Sequence, residues 1–316
     1  MLKNNSKRGE LTTQQIVTLV ILIVSFIIIL IFIFLLDLGG TTDAEICRNS
    51  VVLRGNSVVP GDAVGLDCGR EYLCITKDGS CEGLTNPEVK KVDNLEGIYG
   101  VVAEEMRSCW WMFGEGKVKY IDDAALKRNH CSICDQILFD DSLEELLEGE
   151  VKISKDALYD YLATNNMVGK ENTYAEYFFG TNNVEKLKLE AMQKTGQEGL
   201  GTFGDIEVGK QYFVVMGITS EVNNFYKWAG GVGAVAGVVL LFPASVPTVV
   251  GVLVLATGVT AIAGGGEYLA DQFTQEILAL TVKGDGIDNQ FMAPTIVEAE
   301  SDRFRALNCE DIITFS

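Results

Sequence analysis

Two long apolar blocks interrupt an otherwise mixed hydrophobic pattern. Ile16–Leu36 is an unbroken run of Ile, Leu, Val and Phe with only Thr18 and Ser25 as polar positions, and Trp228–Gly266 contains no charged side chain. The first block has the length of a membrane-spanning helix. Between the blocks, apolar positions Ile98, Val101, Val102, Met106, Cys109 and Trp110 recur at intervals of three and four, which predicts a buried helix from Asn94 to Gly114. Arg70–Lys77 alternates like a strand that ends at Asp78-Gly79. Asp43–Ser50 reads as a short helix holding Cys47, Ser142-Leu-Glu-Glu as a capping box, Ser154 as the start of a further helix, and Asn183–Lys194 as another. Lys210–Thr219, Glu276–Lys283 and Met292–Glu300 predict strands on both sides of the second apolar block.

This order predicts an α+β class with an N-terminal transmembrane helix, a disulfide-stapled extracytoplasmic domain and an inserted apolar helical hairpin. The expected divisions are a cytoplasmic basic segment (1–15), the transmembrane helix (16–36), a cysteine-rich extracytoplasmic α+β domain (37–227), the hairpin (228–266), and C-terminal strands that complete the ectodomain (267–316).

In the second block Pro243 and Pro247 interrupt the run, so FPASVP reads as a tight turn between two helices. The first of them, Trp228–Phe242, would be roughly 22 Å long at about 1.5 Å per residue, short against a hydrocarbon core of about 30 Å. Small residues at spacing four, Ala229, Gly233 and Gly237 on one arm and Thr257, Ala261 and Gly265 on the other, allow close backbone approach. Three placements remain open: in the membrane, buried in the domain or an oligomer, or stored for later insertion. The last is similar in composition and length to the charge-free helical hairpin of pore-forming colicins.

Charge adds an orientation. Lys3, Lys7 and Arg8 against Glu10 leave the first 36 residues at +2, so the remainder carries −21 of a net charge of −19. Basic residues before the apolar run and Asp37 after it predict a cytoplasmic N-terminus and an extracytoplasmic bulk at the cell membrane. An acidic surface with no basic, aromatic-interleaved stripe excludes nucleic acid as a partner. Membrane lipid and a protein partner, or a second copy meeting through apolar helices, are the expected contacts.

Lys7-Arg8-Gly9 followed by Glu10-Leu-Thr-Thr-Gln14 and the apolar run resembles the class III signals of archaeal type IV pilin-like proteins. That resemblance covers the first 36 residues. It implies cleavage between Gly9 and Glu10 on the cytoplasmic side, with the apolar helix retained. Gln14 stands where bacterial pilins carry Glu.

All eight cysteines, Cys47, Cys68, Cys74, Cys81, Cys109, Cys131, Cys134 and Cys309, follow the first apolar block, which predicts an oxidising compartment and up to four disulfides. Cys309 is expected to return to Cys109 across the insertion. His130-Cys131-Ser-Ile-Cys134 is compatible with structural disulfides, a redox dithiol, or part of a zinc site that borrows Cys109 or Cys309. The structural reading leads, because ICDQILFDD reads as a strand rather than the helix that follows a thioredoxin-type motif.

His130 is the only histidine, is expected at the surface or a cap, and has no neighbouring nucleophile, which argues against triad catalysis. Trp110, Trp111, Met112 and Phe113 read as core against a disulfide. GLGTFG lacks the lysine of a phosphate loop, and Asp140, Asp141, Asp156 and Asp160 lie in no calcium-loop pattern. No cofactor or metal is expected. The sequence therefore predicts a non-enzymatic, membrane-anchored extracytoplasmic structural or interaction protein for surface assembly, adhesion or a pilin-like role. The alternatives are a membrane-active protein using 228–266 and a membrane-tethered thiol oxidoreductase using Cys131 and Cys134.

Overall fold

The computed structural model describes residues 13–35, 42–56, 65–122, 125–186, 188–189, 200–220, 235–241, 249–257 and 274–314. The chain divides into two compact units, Met1–Thr42 and Asp43–Ser316.

Among its described residues the first unit holds one helix, α1 (Thr13–Leu35), 23 residues without a charge. Its side chains are described from Ile16 to Ile28 and are exposed throughout. Among the described residues no helix is long and apolar enough to cross a membrane. A helix stands at the position of the expected anchor. The cleavage residues Gly9 and Glu10 lie outside the described residues.

The second unit runs α2 (Asp43–Asn56), β1 (Glu71–Thr76), β2 (Glu88–Lys91), α3 (Leu95–Met112), β3 (His130–Phe139), β4 (Lys152–Ser154), α4 (Lys155–Thr164), α5 (Tyr174–Phe179), β5 (Leu200–Thr202), β6 (Asp205–Glu207), β7 (Gln211–Thr219), β8 (Val235–Leu241), β9 (Val249–Thr257), β10 (Thr274–Lys283), β11 (Gln290–Glu298), α6 (Asp302–Ala306) and β12 (Asp311–Ile312). The main sheet has the order β2-β1-β3-β7-β11-β10-β9-β8, with β12 beside β3 and β5 beside β10, while β4 and β6 form a separate pair. β2, β1 and β3 are parallel, and from β3 through β7, β11, β10, β9 and β8 each neighbouring pair is antiparallel. The fold is mixed α+β, built on one large sheet.

Alternation along β7 explains the layers. Tyr212, Val214, Met216 and Ile218 belong to the larger core, and Phe213 and Val215 to a smaller one on the opposite face. α3 packs on the larger core through Ile98, Val102, Met106 and Cys109. Its start is fixed by Asn94, whose Oδ1 accepts from the Gly97 N–H at 2.8 Å. At its end Gly114 takes φ +81° with Val118 against it, so the chain leaves by a left-handed turn that a side chain would obstruct. Phe304 and Ala306 of α6, with Leu307 at its end, cover the smaller core.

Several expectations are corrected. The apolar block is not a helical hairpin where it is described: Val235–Leu241 and Val249–Thr257 are antiparallel strands, and β9 pairs along β10. Spacing four places residues on one side of a helix and equally on one side of a strand, because four is also a multiple of two. Val238, Val239, Val249 and Val250 favour the pleated state, and β10 supplies a hydrogen-bonding edge. Gly237 lies in β8, and Thr257 ends β9 opposite Val235. Ala229, Gly233, Pro243, Pro247, Ala261 and Gly265 lie outside the described residues.

Ser142 is not a helix cap. Asp140 Oδ1 accepts from the Ser142 N–H at 2.9 Å and caps a short 3₁₀ turn, while the Ser142 hydroxyl accepts from the Lys77 N–H. The Asn183–Lys194 helix is helical at 184–186 and 188–189 among the described residues. α5, closed by a Thr173–Glu176 capping box, was not expected.

Candidate functional site

The site begins with an irregularity in β3. Opposite β7, Ile133 pairs with Val215 and Asp135 with Val214, so Cys134 is an extra residue on β3. Before this bulge, Cys131 and Ile133 face the smaller core; beyond it, Ile137 and Phe139 face the larger one. The extra residue turns Cys134 and Asp135 toward the same face, the one that α3 covers.

On α3, Glu105 and Cys109 are four residues apart and share one side of the helix. Cys109 is bonded to Cys134. One turn earlier Glu105 meets Asp135, and Glu71, the register partner of Asp135 on β1, completes the group. One carboxylate oxygen from each of the three residues lies within 4.8 Å of the others.

Asp135 is the buried member, 2 % exposed, and its Oδ2 has no hydrogen-bond partner. Burial pushes its carboxyl well above the usual range, with the charges of Glu105, Glu71 and Glu88 adding to the effect. Glu105 is pushed up to about 7, first by burial and then by Glu71, with Lys90 opposing. Glu71 is raised by burial, Glu88 and Asp43, again against Lys90. Lys90 is itself paired with Glu88 on β2. Three carboxyl groups this close in a partly buried setting do not all ionise without a counter-charge; they hold protons or a cation.

The other three disulfides are Cys47–Cys68, Cys74–Cys81 and Cys131–Cys309. The expected Cys109–Cys309 bond is therefore corrected. Cys109 reaches the bulge beside it, and Cys309 reaches the start of β3, where β12 pairs with His130 and Cys131. Cys131 and Cys134 face opposite cores, are fully buried, and belong to different bonds, so their C-x-x-C spacing supplies neither a dithiol nor a pair of free zinc ligands. No cysteine is free among the described residues.

His130 is buried rather than at the surface. Its Nε2 lies 2.9 Å from the Ala125 carbonyl and its Nδ1 3.4 Å from Asp311. Trp110 packs edge-on against Phe291, as expected for core.

A second acidic place is an open cleft lined by Asp78, Glu82, Asp140, Asp141 and Glu145. Its members are held by local partners: Asp78 Oδ1 accepts from the Ser80 N–H at 2.7 Å, and Glu145 is paired with Lys77. It gathers two of the four aspartates singled out in the sequence; Asp156 lies elsewhere, bound to Lys188 and Thr202.

The Glu71–Glu105–Asp135 group was missed in the sequence. Its one local signal is Asp135 directly after Cys134, obscured by the redox connotation of the same motif. Compared with known proteins, the chain matches no family model, and no curated protein or solved structure is significantly similar to it.

Proposed function

We propose that the chain is a non-enzymatic, membrane-anchored extracytoplasmic protein that serves assembly or adhesion at a cell surface. The observation that carries this reading is the order of its parts: a charge-free 23-residue helix precedes a separate unit closed by four disulfides. In the sequence the unbroken apolar run Ile16–Leu36 has the length of a membrane-spanning segment. Lys3, Lys7 and Arg8 precede it, which favours a cytoplasmic N-terminus. Structural disulfides that bury both cysteines of the one redox-like motif suit an oxidising compartment and a scaffold role.

The contact surface in this reading is the edge of the sheet at β8, which pairs with β9 and ends the strand order among the described residues. An apolar edge strand presents backbone groups to a partner strand. The uncharged composition of β8 and β9 also favours a second reading, in which this hairpin engages lipid.

The test uses right-side-out vesicles that carry the full chain with an N-terminal tag. Alkaline carbonate is expected to leave the protein in the membrane pellet. External protease is expected to degrade residues 43–316 while the tag survives until the vesicles are opened. Extraction by carbonate, or protection of 43–316, contradicts the reading.

A further inference from the structure

Asp135 presents a physical problem that the rest of the fold does not resolve. A carboxyl group that is 2 % exposed loses its hydration, and such a group is ordinarily compensated by a donor or a cation. Oδ2 of Asp135 has neither. Two further carboxylates face it from different elements, Glu105 from α3 and Glu71 from β1. Among the described residues no basic side chain forms an ion pair with any of the three, and Lys90, which acts on Glu71 and Glu105 from β2, is engaged with Glu88.

The arrangement is also held firmly. The Cys109–Cys134 bond ties the helix to the bulge one turn from Glu105 and one residue from Asp135. The β1–β3 register fixes Glu71 beside Asp135. A purely structural group would relax by hydrogen bonding; this one is fixed with a buried oxygen of Asp135 unpartnered.

We propose that Glu71, Glu105 and Asp135 bind a hard divalent cation of the calcium type, with Asp135 as the most buried ligand. The donors are all carboxylate oxygens, which suits calcium or magnesium and not the softer metals that take sulfur and imidazole. Calcium is favoured because it accepts an irregular set of carboxylate oxygens at about 2.3–2.6 Å, whereas magnesium demands a near-ideal octahedron at about 2.1 Å and keeps most of its waters. The three oxygens lie within 4.8 Å of one another, close enough to share one ion. Water completes the coordination on the Glu71 side, the outermost of the three. Three carboxylates with an open side suit affinities of about 10⁻⁴ M, in the range of extracellular modules. The inference stands apart from the membrane reading, since it uses only contacts within the second unit.

The experiment is calorimetric titration of calcium chloride into the full chain in detergent micelles at pH 7.5 after removal of metals with a chelator. One calcium per chain is expected, together with a rise in melting temperature of about 5 °C near a hundredfold excess over Kd. Asp135→Asn, which keeps the shape of the side chain, is expected to weaken binding at least tenfold and to remove the thermal shift. Glu105→Gln gives the same readout should Asp135→Asn not fold. Asp141→Asn in the open acidic cleft is expected to leave both measurements unchanged. Absence of calcium binding below about 5 mM would overturn the proposal. So would binding that persists in Asp135→Asn and Glu105→Gln, or binding that is lost in Asp141→Asn.

Discussion

Replacing Cys131 and Cys309 together by alanine removes the bond with the longest span in the molecule, 178 residues apart in sequence. None of the other three bonds offers a shorter path between those two positions, so the loop released in the unfolded chain is the full one. Chain entropy then gives a loss of about 5 kcal/mol, against about 2 kcal/mol for the Cys74–Cys81 bond, whose separation is 7 residues. The native state loses more than entropy. The bond holds β12 on β3, and Thr314 Oγ1 accepts from the Ile133 N–H at 3.0 Å just beyond it. Denaturant unfolding of the full chain in micelles, with linear extrapolation for wild type, the Cys131/Cys309 double variant and the Cys74/Cys81 double variant, measures the two costs. The long-span variant should lose at least 2 kcal/mol more than the short-span one. A short-span variant that loses as much or more would refute the reasoning that these bonds act by closing loops of different length.

The carboxylate cluster sets a pH dependence in chelated buffer. A folded-state pKa raised to about 7 at Glu105 means that between its ordinary value of 4.5 and 7 the native chain holds a proton the unfolded chain has released. Stability should therefore fall by up to about 3 kcal/mol as pH rises from 4.5 to 7, with Asp135 acting in the same direction; Glu105→Gln should flatten the slope, and an unfolding free energy that rises equally in both proteins would refute it. A second charge test concerns Glu276, which accepts from Lys155 Nζ at 2.9 Å and from Arg303 Nε at 2.7 Å. Lys155 is 2 % exposed, so Glu276→Gln should cost about 3 kcal/mol by leaving its ammonium without a counter-charge; adding Lys155→Met should restore most of that, and a single-variant cost below about 1 kcal/mol would contradict the account. For the β8–β9 hairpin, the assembly reading predicts that wild type and Gly237→Asp release equally little dye from liposomes, and release by wild type alone would favour the lipid-engaging alternative.

Much of the second unit was legible in the chain. The three- and four-residue spacing in α3, the apolar strand sequences of β7, β10 and β11, and the even set of cysteines each carry a local signal that the fold preserves. The cysteine pairing was not legible, because it depends on one extra residue in β3 that turns Cys134 toward α3 while Cys131 faces the opposite core. The nature of the β8–β9 segment was hidden by small residues at spacing four, which serve a helix and a strand alike. Glu71, Glu105 and Asp135 come from β1, α3 and β3, and only the parallel β1–β3 register and the path of the helix over the bulge bring them together. No window of the sequence holds all three, and Asp135 on its own reads as an ordinary polar residue beside a cysteine.

Four structural disulfides close the second unit and call for an oxidising compartment. Alkylation of thiols in intact cells, followed by peptide mass mapping without reduction, tests that directly. The predicted result is Cys47–Cys68, Cys74–Cys81, Cys109–Cys134 and Cys131–Cys309 with none of the eight cysteines alkylated. A Cys131–Cys134 bond, or alkylation at these cysteines, would contradict it.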